Sequence, residues 1–178
     1  LHGKGGEDGI AQSFFEYLKI PYTHSGVISS YNSMNKIVSK KIFLNNKILT
    51  PKYFSLNKLD VEKINFRTIL KSKKISFPIV IKPVNEGSSL GVKITKNFKG
   101  LIKTTKQLFQ NYNNLIFEQY IAGQEIQVAV INKTPLGAIE LIPKRSFYDY
   151  KAKYTKSAKT QHVMPARVNK KKYIEVLK

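Results

Sequence analysis

The chain has no cysteine among its 178 residues, which excludes disulfides, thiolate metal sites and a cysteine nucleophile. That absence fits a reducing cytoplasm, the location expected here. Acidic residues are also scarce: 11 Asp and Glu stand against 31 Lys and Arg, a net charge of +20. Such an excess raises nucleic acid or an anionic membrane as partners. The distribution argues against nucleic acid, because the basic residues are mostly Lys and spread over the whole length, whereas a nucleic-acid footprint favours clustered Arg with interleaved aromatics. A coding bias toward Lys, Asn and Ile accounts for the charge, and small polyanions such as nucleotides are compatible with it. No apolar run is long enough to cross a bilayer, and no stretch with a charged start and an apolar centre reads as a signal peptide. With 42% hydrophobic residues the composition is globular, enough for one core or two small lobes.

What is present centres on residues 79–92. Ile79-Val80-Ile81-Lys82-Pro83 reads as a strand, Gly87-Ser88-Ser89-Leu90-Gly91 as a small-residue loop, and Val92-Lys93-Ile94 as a returning strand. Gly87 and Gly91 allow the backbone close to a ligand, the serines offer N–H and hydroxyl donors, and Lys82 adds a point charge suited to phosphate. Taken alone, the loop fits a solvated turn beside a surface lysine equally well.

Before this hairpin, residues 2–9 form a Gly-rich loop that leads into a helix whose apolar positions 10, 11, 14, 15 and 18 share one face. Ser30 or Asn32 caps a further helix carrying Met34, Ile37, Val38 and Ile42, and Lys36 on it reads alone as a solvent-facing lysine. Residues 69–74 read as a polar surface segment. After the hairpin, 98–110 is a helix with Leu101, Ile102, Thr105, Leu108 and Phe109 inward. Strands follow at 115–121, 125–131 and 136–141, with a turn at Thr134-Pro135. Glu118 falls inside an apolar strand, where an unpaired carboxylate is costly, so it is either paired or binds something. The strand end beyond it offers backbone groups to an adenine edge, and Glu125 offers a carboxylate to two ribose hydroxyls. Residues 146–154 are aromatic and basic and read as an ordered loop or lid. Leu1 and the helical pattern capped by Asn169 both look interrupted, so the chain is expected to be the interior of a longer protein.

His2-Gly3-x-Gly5-Gly6-Glu7-Asp8-Gly9, Ser33-Met34-Asn35-Lys36, Lys82-Pro83 with Gly87-Ser88-Ser89-x-Gly91, Glu118 with Gly123-x-Glu125, and Phe147-Tyr148-Asp149-Tyr150-x-Ala152-Lys153-Tyr154 occur in one order and spacing. Together they resemble the D-alanine–D-alanine ligases. The resemblance implies an α/β (α+β) ATP-grasp fold: residues 1–50 as the end of the N-terminal lobe, 51–121 as the small central lobe and 122–178 as the start of the C-terminal lobe. It implies ATP and D-alanine as ligands, with Mg2+ (or Mn2+) held by residues beyond this stretch, no metal ligand within it, and a homodimer when complete. It also implies that the stretch alone makes no dipeptide. By the same resemblance Lys36, Lys82 and Lys153 meet ATP phosphates, and Gly87, Ser88, Ser89 and Gly91 close over the γ-phosphate. Glu118 and the backbone of Gln119, Tyr120 and Ile121 read adenine, Glu125 takes the ribose and Phe147 packs on the base. Tyr154 with Ser88 places the first D-alanine, and His2 lies near the substrate carboxylate or the acyl-phosphate oxygen. Tyr154 further implies D-alanine rather than D-lactate as second substrate. Asn35 stands where the family usually has Asp, which puts a local charge pair in doubt. The alternatives are an ATP-grasp ligase for another carboxylate, and a basic nucleic-acid-binding module.

Overall fold

The computed structural model describes residues 3–143 and 160–178, and the chain divides into two compact units, residues 1–121 and 122–178. In the first, helices α1 (Ile10–Tyr17), α2 (Val27–Met34) and α3 (Lys36–Asn45) precede a four-stranded sheet. Its strands β1 (Tyr53–Asn57), β2 (Ile79–Pro83), β3 (Lys93–Thr95) and β4 (Asn114–Gln119) lie in the order β1-β4-β2-β3. Every neighbouring pair is antiparallel. Helices α4 (Phe66–Lys73) and α5 (Phe98–Leu108) complete the unit. Three of the five helices open on an asparagine whose side chain accepts from the first-turn amides: Asn35, Asn65 and Asn97. Each satisfies donors that the helix itself cannot.

The strand alternation decides what the sheet buries on each face. Phe54, Ile81 and Phe117 stand opposite one another across β1, β2 and β4, and so do Tyr53, Val80 and Glu118. Because successive side chains point to opposite faces, these two rows lie on different sides of the sheet. The first row joins Leu56, Leu70, Ile79, Leu101, Leu108 and Leu115 in the core. Phe54 and Phe117 stack there at 4.7 Å between ring centroids. The second row carries the ionic chemistry described below.

Four expectations for this unit change. The helix expected from Ser30 or Asn32 onward is two helices, because Asn35 takes an extended conformation (φ −88°, ψ 104°) and caps α3; Ser30 instead lies within α2 and donates to Ser25 O at 3.0 Å. The apolar face of α1 is not inward: Ile10, Phe14 and Leu18 are 59%, 65% and 50% exposed. Gln12 is the residue that α1 buries, because its amide accepts from Gly9 N and donates to Gly6 O, which closes the Gly-rich loop onto the helix. Residues 69–74 are mostly the end of α4, and Leu70 there is buried in the core. Ile102 on α5 is exposed, since the turns that place Leu101, Thr105 and Leu108 inward leave it at the edge.

The second unit is a three-stranded antiparallel sheet, β5 (Glu125–Ile131), β6 (Thr134–Ile142) and β7 (Gln161–Val163), followed by helix α6 (Lys170–Val176). The β5–β6 turn falls on Asn132 and Lys133, both at positive φ, rather than on Thr134-Pro135 as expected. Two successive left-handed residues match the twist of a tight hairpin, so Thr134 is free to begin β6. Buried Glu140 anchors this unit. It accepts from Arg167 Nε at 2.9 Å and Gln124 Nε2 at 3.0 Å. The Arg167 guanidinium, first among these donors, holds its carboxyl below the usual range. Asn169 caps α6 as the sequence suggests.

Candidate functional site

Lys36 is the first residue of α3, where the backbone dipole opposes a cation and favours an anion. Its amide donates to Val84 O at 3.1 Å, and its ammonium reaches Val84 O and Glu86 O just after β2. Burial, and then the neighbouring charge of Lys82, push its pKa down to about 8, against the opposite pull of Glu118 and Glu86. The lysine that reads as solvent-facing in sequence is thus tied to the hairpin that carries Lys82.

Lys82 stands on β2, on the face opposite the core, and its ammonium lies 2.5 Å from Glu118 Oε2. A second lysine, Lys40 on α3, meets Glu118 Oε1 at 2.9 Å. Lys40 is 5% exposed and also donates to Thr50 Oγ1 at 2.6 Å and Pro51 O at 3.0 Å. The Tyr53 ring lies beneath it at 4.8 Å. Burial lowers the Lys40 pKa, opposed by the adjacent Glu118 carboxylate. The buried carboxylate is therefore paired twice.

Lys36, Lys82, Gly87, Ser88 and Ser89 line one cavity of about 770 Å³. The loop folds back through Leu90 N to Gly87 O at 2.9 Å and Val92 N to Ser89 O at 3.2 Å. Ser88 and Ser89 both take the left-handed conformation (φ 50° and 60°), at a cost of about 1 kcal/mol each. Gly91 permits the return to the sheet: at φ +71°, a Cβ there would sit 2.7 Å from Pro83 Cγ. Gly91→Ala is expected to destabilise this unit by about 1–3 kcal/mol and to displace the loop. A thermal midpoint within about 1 °C of the parent would contradict the close packing, since even 1 kcal/mol shifts a small domain by roughly 4–8 °C.

The other expected site residues fall in different places. The amides of Gln119 and Tyr120 donate to Lys52 O at 2.9 Å and Pro78 O at 3.2 Å. Ile121 follows and is exposed. Any backbone contact with a base must therefore use carbonyls or Ile121 rather than those two amides. Glu125 opens β5 of the second unit. His2, Phe147, Lys153 and Tyr154 lie outside the described residues. Among the described residues no group of three or more His, Asp or Glu is placed to hold a metal ion, and no helix is long and apolar enough to cross a membrane.

Sequence reasoning missed Lys40. Its signal is the spacing: Lys36 and Lys40 are four apart on one helix and so share a face. It also missed His24, which lines the same cavity, and for which the sequence offers no periodic cue.

The family model for the D-ala D-ala ligase C-terminus matches residues 42–178. The chain is 49% identical over 170 residues to the D-alanine–D-alanine ligase of Pelagibacter ubique (strain HTCC1062), covering 96% of this chain and 55% of that protein. It is 41% identical over 179 residues to the corresponding enzyme of Buchnera aphidicola subsp. Schizaphis graminum, covering 58% of it. Among solved structures, the D-alanine–D-alanine ligase from Bacillus anthracis superposes with a TM-score of 0.82 at 36% identity, over 99% of this chain and 56% of that one. A structure of the Bacillus anthracis enzyme complexed with ATP gives 0.75 at 32% identity, over 95% and 51%. The VanG D-Ala:D-Ser ligase from Enterococcus faecalis also gives 0.82, at 28% identity, over 99% and 51%. The chain spans about half the length of these relatives.

Proposed function

Because this chain belongs to the D-alanine–D-alanine ligase family, with its ATP-grasp fold, we propose that the protein carrying it joins two D-alanines at the expense of ATP. The observation that supports this most is the cavity where Lys36, Lys82 and the Gly87–Ser89 turn converge. In this reading the carboxylate oxygen of the first D-alanine attacks the γ-phosphorus and ADP departs. The amine of the second then forms the C–N bond while the C–O bond to phosphate breaks, releasing phosphate and a proton. No protein nucleophile is required. The protein must neutralise charge, orient the reactants and exclude water.

Lys36 and Lys82 neutralise the phosphates, while Gly87, Ser88, Ser89 and Gly91 close over the γ-phosphate. Glu118 accepts from the adenine amine beside Gln119, Tyr120 and Ile121, and Glu125 binds the ribose hydroxyls. Phe147 packs on the base, Lys153 adds a phosphate contact, Ser88 and Tyr154 place the first D-alanine, and His2 serves its carboxylate. Residues 1–50, 51–121 and 122–178 belong to the three lobes of the fold in order. Mg2+ or Mn2+ would neutralise phosphate charge when bound, held by residues beyond this stretch. A cytoplasmic homodimer making dipeptide for peptidoglycan completes the reading.

The test is to supply the intact protein with ATP, Mg2+ and D-alanine. Phosphate release that depends on D-alanine, with D-alanyl-D-alanine as product, is the expected result. Product formed only with D-serine in second place would assign it instead to the specificity in the VanG enzyme's name.

A pH dependence follows from Lys36, which Lys82, Glu118 and Glu86 influence from β2, β4 and the adjoining loop. With its pKa at about 8, Lys36 is an ammonium below that pH and loses its charge above it. A bound phosphate favours the charged form, so ATP affinity should hold steady toward neutrality and fall above pH 8, by at most about tenfold per unit. Lys36→Met should bind more weakly at pH 7 and lose this limb. Titrations of both proteins between pH 7 and 9.5 check it, and an unchanged limb in the variant would assign the titration elsewhere.

A further inference from the structure

Lys40 belongs to none of the motifs that carry the resemblance, yet it is a buried lysine paired with Glu118. Three observations define what it can do. First, Glu118 is 4% exposed and engages one ammonium on each oxygen, Lys40 on Oε1 and Lys82 on Oε2. Second, the two lysines differ in freedom. Lys40 is fixed by Thr50 Oγ1, Pro51 O and the Tyr53 ring and is not part of the cavity wall, whereas the Lys82 side chain is 23% exposed and lines the cavity. Third, two cations on one anion leave a surplus positive charge, and geometry places it on the lysine that faces the cavity.

From this we propose that Lys40 is the permanent counter-ion of Glu118, and that its presence releases Lys82 to serve an anion in the cavity. The proposal rests on the nucleotide-phosphate reading above. If Lys82 were the only partner, moving its ammonium onto a phosphate would strand a buried carboxylate, which is strongly unfavourable. With Lys40 in place the carboxylate stays compensated, and its Oε2 becomes available to a donor on the ligand as Lys82 leaves. Lys40 is thus a positioning residue that acts through Glu118 and touches no reacting atom.

The test is a double-mutant cycle on ATP affinity, measured by calorimetry with the intact protein, Lys40→Met, Glu118→Gln and the double variant. Lys40→Met should raise the ATP Kd about tenfold with Glu118 present, and less than about twofold in the Glu118→Gln background, since a neutral amide needs no counter-ion. Calorimetry in two buffers of different ionisation enthalpy should show Lys40→Met taking up on the order of one more proton than the parent on binding ATP, as the stranded carboxylate protonates. Equal losses in both backgrounds, with no added proton uptake, would overturn the proposal and leave Lys40 as a tie to Thr50 and Pro51. Should Lys40→Met fail to fold, a double variant that folds and binds ATP like Glu118→Gln supports the proposal, and one that also fails to fold overturns it. A parent that binds no ATP would fall on the phosphate reading, while the thermal midpoints of the four proteins still report whether Lys40 and Glu118 are coupled.

Discussion

Lys82→Ala is expected to weaken ATP binding by about 10- to 100-fold while leaving the fold intact. The range corresponds to the roughly 1.5–3 kcal/mol carried by a hydrogen bond to a charged group. Two features make the separation of binding from stability possible. Lys82 faces a cavity rather than the core, and its removal still leaves Glu118 paired with Lys40 at 2.9 Å, so no buried charge is stranded. The loss should match or exceed that of Lys36→Ala, because Lys36 is already engaged by Val84 O and Glu86 O and is partly titrated near pH 8. Lys82 also stands on a strand paired on both sides, where little ordering entropy remains to be spent. ATP titration checks the first part and thermal unfolding the second. Unchanged ATP affinity would remove Lys82 from the phosphate site.

Phe117→Ala should have the opposite profile, a loss of about 3–5 kcal/mol of stability through a cavity in the core. Phe117 is fully buried, stacked on Phe54 at 4.7 Å and tilted against Phe66 at 5.8 Å. Its backbone pairs with Phe54 on one side and Ile81 on the other. It also immediately precedes Glu118, so the same strand that seats the core ring sets the carboxylate on the opposite face. A loss of this size is comparable to the whole stability of a small unit. Denaturant unfolding of parent and variant measures it. A midpoint shift worth less than about 1 kcal/mol would mean that the ring is not closely packed.

That coupling between faces explains what could be read in the sequence. Short apolar runs leading into Lys82 and Glu118 mark β2 and β4, Val92-Lys93-Ile94 marks β3, and the glycines and serines between 87 and 91 mark the hairpin loop. These signals are local, and they brought Lys82, the loop and Glu118 forward as candidates. The contacts that tie α3 to the sheet, Lys40 to Glu118 on β4 and Lys36 to the carbonyls just after β2, are not local. Lys40 and Glu118 are far apart in the chain and meet only through the packing of α3 on the sheet, so a helix lysine looked like any other solvated charge. The apolar residues of α1 show the converse. Their spacing correctly marks a helix, but spacing does not say which face is covered, and the hydrogen bonds of Gln12 buried the other one. Asn35 is a third case: its side chain bonds to Ile37 and Val38 amides, so the residue that looked like a departure from a charge pair serves as a helix cap.

In the proposed function the cavity holding Lys36, Lys82 and the 87–91 loop receives the phosphates of a nucleotide whose base meets the end of β4. Hydrogen–deuterium exchange of the intact protein, with and without ATP and Mg2+, tests it most directly, because each backbone amide reports separately. Slowed exchange is expected within residues 86–92, at the start of α3 and at Ile121, with α4 and α5 little changed. Protection elsewhere, with the 86–92 loop exchanging as fast in the presence of ATP as in its absence, would contradict it.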